Sequence, residues 1–331
     1  MFVSYRDKSV RLTGRWDVTD ERYAEATATG SYIEFAFEGK TAVACFDIEG
    51  NRFPFLHLWV QLDGGDMFEC PIDAYLRVMA KTEGRHICRI IYKGGEEVYR
   101  RWYRPLHGKV SFKGVDTEKP VEIGEDNRRT IEFVGDSITE GVCIDMDYYC
   151  DGEPQYEADV INRIYQDDVC ATYAWHTAER LDLRPIFMGY GAVGVTKAGM
   201  SNVPAAQKSY PFNFDGSPIT HKSADIIVIN HGANDRRRPA DEYVVKYGEL
   251  LDVVRAMNPD SIIVSLSAFC GAFHEELGAY IEKYNAEHGC DVKYISSYGW
   301  ISPEPLHPLR DGHITVADHL VPLLREIIEN A

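Results

Sequence analysis

The chain has 331 residues, 45% of them hydrophobic, which is enough to bury a sizeable core and to build two domains or one large one. Its 52 acidic residues against 35 basic ones give a net charge of −17, and no basic stripe offsets it, which argues against a nucleic-acid partner. No apolar run approaches the roughly 18 residues that span a bilayer, and Met1 to Asp7 lacks a basic segment followed by an apolar stretch, so no signal peptide is expected and the cytoplasm is the expected compartment. Residues from about 10 to 115 then read as short β-type runs. Ser31 to Phe37 puts Ile33, Phe35 and Phe37 on one face; Thr41 to Phe46, Leu56 to Leu62, His86 to Tyr92 and Lys109 to Gly114 follow. Strands this short, punctuated by Gly and Asp as at Asp63-Gly64-Gly65, predict a β-sandwich over residues 1–120.

Polar residues from about Asp116 to Arg129 form the expected linker to a second domain, residues 121–331. There the pattern alternates. Strands are predicted at Thr130 to Val134, Pro185 to Met188, Asp225 to Asn230, Ser261 to Leu266 and Val292 to Ser296. Helices are predicted at Ala171 to Leu181, Asp241 to Met257 and Glu275 to Glu287, and a last one presents Val316, Leu320, Leu324, Ile327 and Ile328 on one face. Such alternation implies an α/β fold, a mostly parallel five-stranded sheet with helices on both sides, whose site lies at the carboxyl ends of the strands. The eight cysteines, at 45, 70, 88, 143, 150, 170, 270 and 290, contain no C-x-x-C pair and no zinc spacing. They read as reduced, mostly buried thiols, with Cys143 and Cys150 the one pair close enough to consider.

Three strand-end loops carry unusual residues. In Gly135-Asp136-Ser137-Ile138-Thr139 a serine sits at a tight strand-to-loop turn, where its hydroxyl projects and its own N–H can face an oxyanion. In His231-Gly232-Ala233-Asn234-Asp235 the neutral amide of Asn234 suits a transient negative charge. In Pro303-Glu304-Pro305-Leu306-His307-Pro308 the prolines stiffen a loop that presents an imidazole, as a positioned general base requires. Each alone also fits an ordinary turn, an Asx turn or a structural histidine.

Together these segments resemble the SGNH (GDSL-like) hydrolases. Gly135-Asp136-Ser137-Ile138 is similar to their block I, Gly232-Ala233-Asn234-Asp235 to block III, and His307-Pro308 with Asp311-Gly312-His313 to block V, in family order over residues 128–330. The resemblance implies a three-layer, flavodoxin-like α/β/α domain and acyl transfer without metal or cofactor. It makes Ser137 the nucleophile and His307 the base, with the N–H groups of Ser137 and Gly194 and the amide of Asn234 as oxyanion donors. Gly194 comes from Gly189-Tyr190-Gly191-Ala192-Val193-Gly194, the best match to block II. That segment also spells the dinucleotide pattern G-x-G-x-x-G, but Val195 to Met200 runs into Ser201-Asn202-Val203-Pro204 and opens no apolar helix. The family usually has Asp three residues before the histidine. Glu304 stands there in this chain and is the expected third member, a backbone carbonyl being the alternative.

A β-sandwich, jelly-roll-like, ahead of such a domain resembles carbohydrate esterase family 2. The looser N-terminal match rests on Gly14-Arg15-Trp16, Gly30 to Phe35 and Val60 to Gly65. It implies removal of O-acetyl groups from xylo- or manno-oligosaccharides. Tyr210, Phe212 and Trp300 are the candidate sugar-contacting aromatics, with Phe214 beside them. The segment Asp145 to Asp168, with Tyr148, Tyr149, Tyr156 and Tyr165, reads as an insertion that walls the cleft or meets a second copy in a homo-oligomer. Two other readings stay open: an esterase or lysophospholipase-type enzyme on longer acyl chains, and a non-catalytic glycan-binding protein.

Overall fold

In the computed structural model the described residues are 1–146 and 164–331. The first 120 residues form strands β1 (Phe2–Ser4), β2 (Val10–Thr13), β3 (Ala24–Ala26), β4 (Tyr32–Asp47), β5 (His57–Leu62), β6 (Phe68–Pro71), β7 (Tyr75–Met79), β8 (Arg85–Gly94) and β9 (Val110–Pro120). The long β4 organises them. Its first half pairs antiparallel with β2 and β8, its second half with β7 and β9, and its register against β9 shifts between Glu38 and Ala42. Alternate residues Ile33, Phe35, Phe37, Ala42 and Ala44 turn inward onto Leu58, Val60, Ile90 and Phe112, a core of this half's own. The sequence suggests two strands where β4 is one, because Glu38-Gly39-Lys40 resembles a turn; the strand runs through it with an irregularity at Gly39, whose φ is +117°. The expected linker also starts too early, since β9 runs on to Pro120. β1, β2, β3, β6 and β7 were too short or too exposed to leave an alternating signature.

The second half is a five-stranded parallel sheet in the order β11-β10-β14-β15-β16. Its strands are β10 (Thr130–Gly135), β11 (Arg184–Gly189), β14 (Ile226–Asn230), β15 (Ile262–Leu266) and β16 (Lys293–Ile295); a small hairpin of β12 (Phe212–Phe214) and β13 (Ser217–Pro218) lies outside it. The helices are α1 (Ser137–Glu140), α2 (Tyr173–Arg180), α3 (Ala206–Ser209), α4 (Ala240–Met257), α5 (His274–His288) and α6 (Arg310–Glu329). Every residue of β10 and β14 is buried, which fits their mostly apolar runs, Glu132 being the buried charge among them. Ile131 and Phe133 pack with Tyr173 of α2 and Val316, Leu320 and Leu324 of α6 on one face. Val134 packs with Leu250, Leu251 and Val254 of α4 on the other.

The two halves interlock through charge as well as shape. Arg15, 1% exposed, donates to the carboxylate of Glu132 in β10 at 2.7 Å and to the carbonyls of Tyr210 and Phe212. Arg101, from the loop before β9, pairs with Glu140 of α1, both 2% exposed. At Gly30 a Cβ atom would lie 2.2 Å from the ring of Phe187 in β11, so only glycine permits that approach. No disulfide joins the seven described cysteines, and Cys150, with the pairing considered for it, lies outside the described residues.

Candidate active site

All five parallel strands point the same way, so their carboxyl ends gather the three loops at one edge. β10 ends at Gly135, and the chain turns at once into α1, whose first residue is Ser137. Asp136 caps this single turn: its Oδ1 accepts from Ile138 N at 3.0 Å. The Ser137 hydroxyl comes to 2.8 Å from Nε2 of His307, 170 residues away, the geometry of an O–H···N bond to an accepting imidazole.

Asn234, after β14, lies beside that turn. Its Nδ2 donates to Asp136 Oδ2 at 2.9 Å and to the carbonyl of Val193 at 3.0 Å. Both amide hydrogens are therefore engaged in the resting site. The second contact fixes which way the amide points, because a flipped amide would set two oxygens against each other. Gly194 sits one residue further along. Its N–H donates to Lys197 O at 3.2 Å, so it too has an internal partner until a ligand replaces it.

The glycine at 194 has a packing reason as well. A Cβ there would meet Asp235 Oδ1 at 2.5 Å. The Asp235 carboxylate, fully buried, accepts from Val195 N, Thr196 N and Thr196 Oγ1 at 3.1, 2.9 and 2.6 Å. It thus clamps the loop after β11 to the loop after β14. His231, at the start of the latter loop, is buried; burial pushes its pKa down to about 4, which keeps it neutral.

His307 is anchored from three residues downstream. Arg310, in the first turn of α6, donates to both oxygens of Asp145 at 2.9 and 2.6 Å and reaches Asp168 at 3.4 Å. Asp168 accepts in turn from Trp59 Nε1 of β5 at 2.9 Å. His313 is fully buried, its Nδ1 accepting from Tyr173 N at 3.0 Å. Burial, then the neighbouring His176 and His307, lower its pKa to about 3, so it is a neutral packing group.

Other expected residues fall elsewhere. Glu304 is on the exposed side of its loop, tied through its own main chain to Ser302 Oγ, which donates to Glu304 O at 2.7 Å. Tyr210 is only 1% exposed; its hydroxyl donates to Glu132 at 2.9 Å and Arg15 lies over its ring, so no face is left for a sugar. Phe214 is equally buried, under Arg104. Phe212 packs partly buried against the core, and Trp300, half-buried, stacks on His319 with ring centres 5.2 Å apart. Tyr165 meets the imidazole of His57 edge-on. Tyr148, Tyr149 and Tyr156 lie outside the described residues. The sequence reading missed Asp235, Arg310, Asp168, Arg101 and Glu140 as site supports. Asp235 had a signal, its place next to Asn234. The others act through partners distant in sequence.

No group of three or more His, Cys, Asp or Glu among the described residues could hold a metal ion. Residues 133–313 match the family model for the GDSL-like lipase/acylhydrolases, more than half of the chain. No curated protein matches the chain. Among solved structures, a family two carbohydrate esterase from Cellvibrio japonicus superposes with a TM-score of 0.80 at 20% identity, over 99% of this chain and 98% of that one. A family two carbohydrate esterase from Clostridium thermocellum in complex with cellohexaose gives 0.78 at 20% identity, over 97% and 99%. An acetyl xylan esterase from the rumen bacterium Butyrivibrio proteoclasticus gives 0.79 at 16% identity, over 99% and 98%. At these identities the likeness is one of fold, and it extends through both halves.

Proposed function

For a chain that belongs to the GDSL-like lipase/acylhydrolase family, we propose the activity of a serine esterase that removes O-acetyl groups from oligosaccharides of the xylo or manno type. The observation that carries the chemistry is the 2.8 Å contact between Ser137 Oγ and His307 Nε2. Supporting the substrate class is the whole-chain fold likeness to carbohydrate esterases, one of them bound to cellohexaose. In the same reading the N-terminal half is a jelly-roll-like sandwich, with the division of β4 between two sets of partners in its favour.

His307 Nε2 takes the proton as Ser137 Oγ attacks the acetyl carbonyl. The oxyanion draws on the N–H groups of Ser137 and Gly194 and the amide of Asn234, each such donor typically worth about 3 kcal/mol of barrier. His307 returns the proton to the departing sugar oxygen. A water, deprotonated by His307, then splits acetyl-Ser137 into acetate and free serine. Glu304 is assigned the third place, as a solvated carboxylate that contributes little. Phe212 and Trp300 are the aromatics left to meet the sugar.

The test is acetate release from acetylated xylo- and manno-oligosaccharides beside a series of p-nitrophenyl esters. Ser137→Ala should abolish release while sugar binding persists. Full activity in that variant sinks the mechanism, and a strong preference for C8 or longer acyl chains sinks the substrate.

A further inference from the structure

Asp136 is not among the groups that touch the substrate in the mechanism above, yet it touches two that do. One carboxylate oxygen caps the turn that carries Ser137, through Ile138 N at 3.0 Å. The other accepts from Asn234 Nδ2 at 2.9 Å. The residue is 2% exposed, so no water competes for either bond. It is bonded both to the nucleophile's turn and to the amide donor. We infer that Asp136 is a positioning residue whose ionised carboxylate holds Asn234 in register with Ser137, so that loss of its charge disarms the oxyanion site.

At rest Val193 O takes the other Asn234 hydrogen at 3.0 Å; the oxyanion takes that hydrogen over, which leaves the bond to Asp136 as the one that orients the amide. Asp136 must therefore accept on both oxygens at once. A carboxylate does this readily, whereas a protonated carboxyl gives up part of that capacity to its own O–H. The grip is poised to slip in an accessible range. Burial raises the Asp136 pKa to about 7, with the charges of Asp235 and Glu140 pushing the same way and the bonds from Ile138 and Asn234 opposing. The other titratable groups facing it are Tyr173 and Cys270, whose pKa values are themselves raised by burial, so both stay neutral here.

This inference rests on the esterase reading and adds a signature that reading lacks. Two groups must lose a proton for activity: His307 to act as base and Asp136 to hold Asn234. The plot of log kcat/KM for p-nitrophenyl acetate against pH, from 5 to 9, should therefore steepen toward a slope of 2 on its acid limb. Asp136→Asn keeps the shape but cannot accept on both sides. It should lower kcat by about 10- to 100-fold, with KM changed less than about threefold, because an oxyanion contact acts on the transition state. Its acid limb should fall to a slope of 1.

Asn234→Ala, which keeps Asp136 and its cap, should also give a slope of 1, and Asp136→Asn should add little in that background. A merely structural role for Asp136 would leave the slope alone. A slope of 1 in the wild type, an unchanged kcat in Asp136→Asn, or full additivity of the two substitutions overturns the inference. Ser137→Ala separates the two levels: if it stays active the esterase reading falls and takes this one with it. If it is dead and the wild-type slope is 1, only the role of Asp136 falls.

Discussion

Replacing Arg101 with methionine leaves Glu140 buried at 2% exposure without its counter-charge. Burial raises the Glu140 pKa, Arg101 opposes that, and Glu97 adds to it. Breaking one side of a buried ion pair costs about 3–5 kcal/mol, mostly the cost of the stranded charge. That cost depends on pH. A carboxyl with a raised folded pKa binds its proton more tightly in the folded state. Its burden on stability is therefore absent below the unfolded value and grows as pH rises through the folded one. Without Arg101 the folded pKa climbs further, each added unit being worth about 1.4 kcal/mol. Urea unfolding at pH 8 should show a marked loss in Arg101→Met, and at pH 5.5 a clearly smaller one. Arg101→Met with Glu140→Gln should recover most of the stability at pH 8. A loss below about 1 kcal/mol in the single variant, or no recovery in the double one, refutes the assignment of Glu140 as a charge held by Arg101.

Gly194→Ala drives a methyl group to 2.5 Å from Asp235 Oδ1, so the loop must move; kcat for acetate esters should fall by about 10²–10³ as a donor is displaced. His313 is held neutral, its pKa pushed down to about 3 by burial. The unfolded chain therefore takes the extra proton first, and stability drops as pH falls from the ordinary histidine value toward 3; between pH 6.5 and 5 that is about 2 kcal/mol, which His313→Gln should remove from the slope of stability against pH. Glu304→Ala should keep kcat within about tenfold of wild type; a drop near 10⁴, the scale seen when a buried triad carboxylate is neutralised, would show that Glu304 turns inward to orient His307.

Ser137 and Asn234 were legible in the sequence because each lies within a few residues of a strand end, and His307 because its loop after the last strand is stiffened by proline; a parallel sheet brings all these loops to one edge. β10 and β14 were legible for a related reason, being buried on both faces. What escaped notice depends on residues far apart in the chain. Arg101 meets Glu140 and Arg15 meets Glu132 only where the two halves come together, and Arg310 meets Asp145 across 165 residues within the second. Tyr210 and Phe214 looked like loop aromatics open to a ligand, since nothing local reveals that Arg15 and Arg104 come across from the other half to cover them. Strand β7 left little trace because its exposed positions include hydrophobic Tyr75 and Met79, which hide the alternation that its burial follows.

The crossing of Arg15 and Arg101 into the catalytic half has a consequence for ancestry and for engineering. A fragment starting at residue 121 would carry Glu132 and Glu140 into its interior with neither cation. The halves cannot then be exchanged between relatives like cassettes, because each acid must travel with its arginine. Substitutions at 15 and 132, or at 101 and 140, are tolerated only in pairs. A calorimetric scan should accordingly show the chain melting in one transition, its α/β half no more durable than the β-rich half that neutralises it.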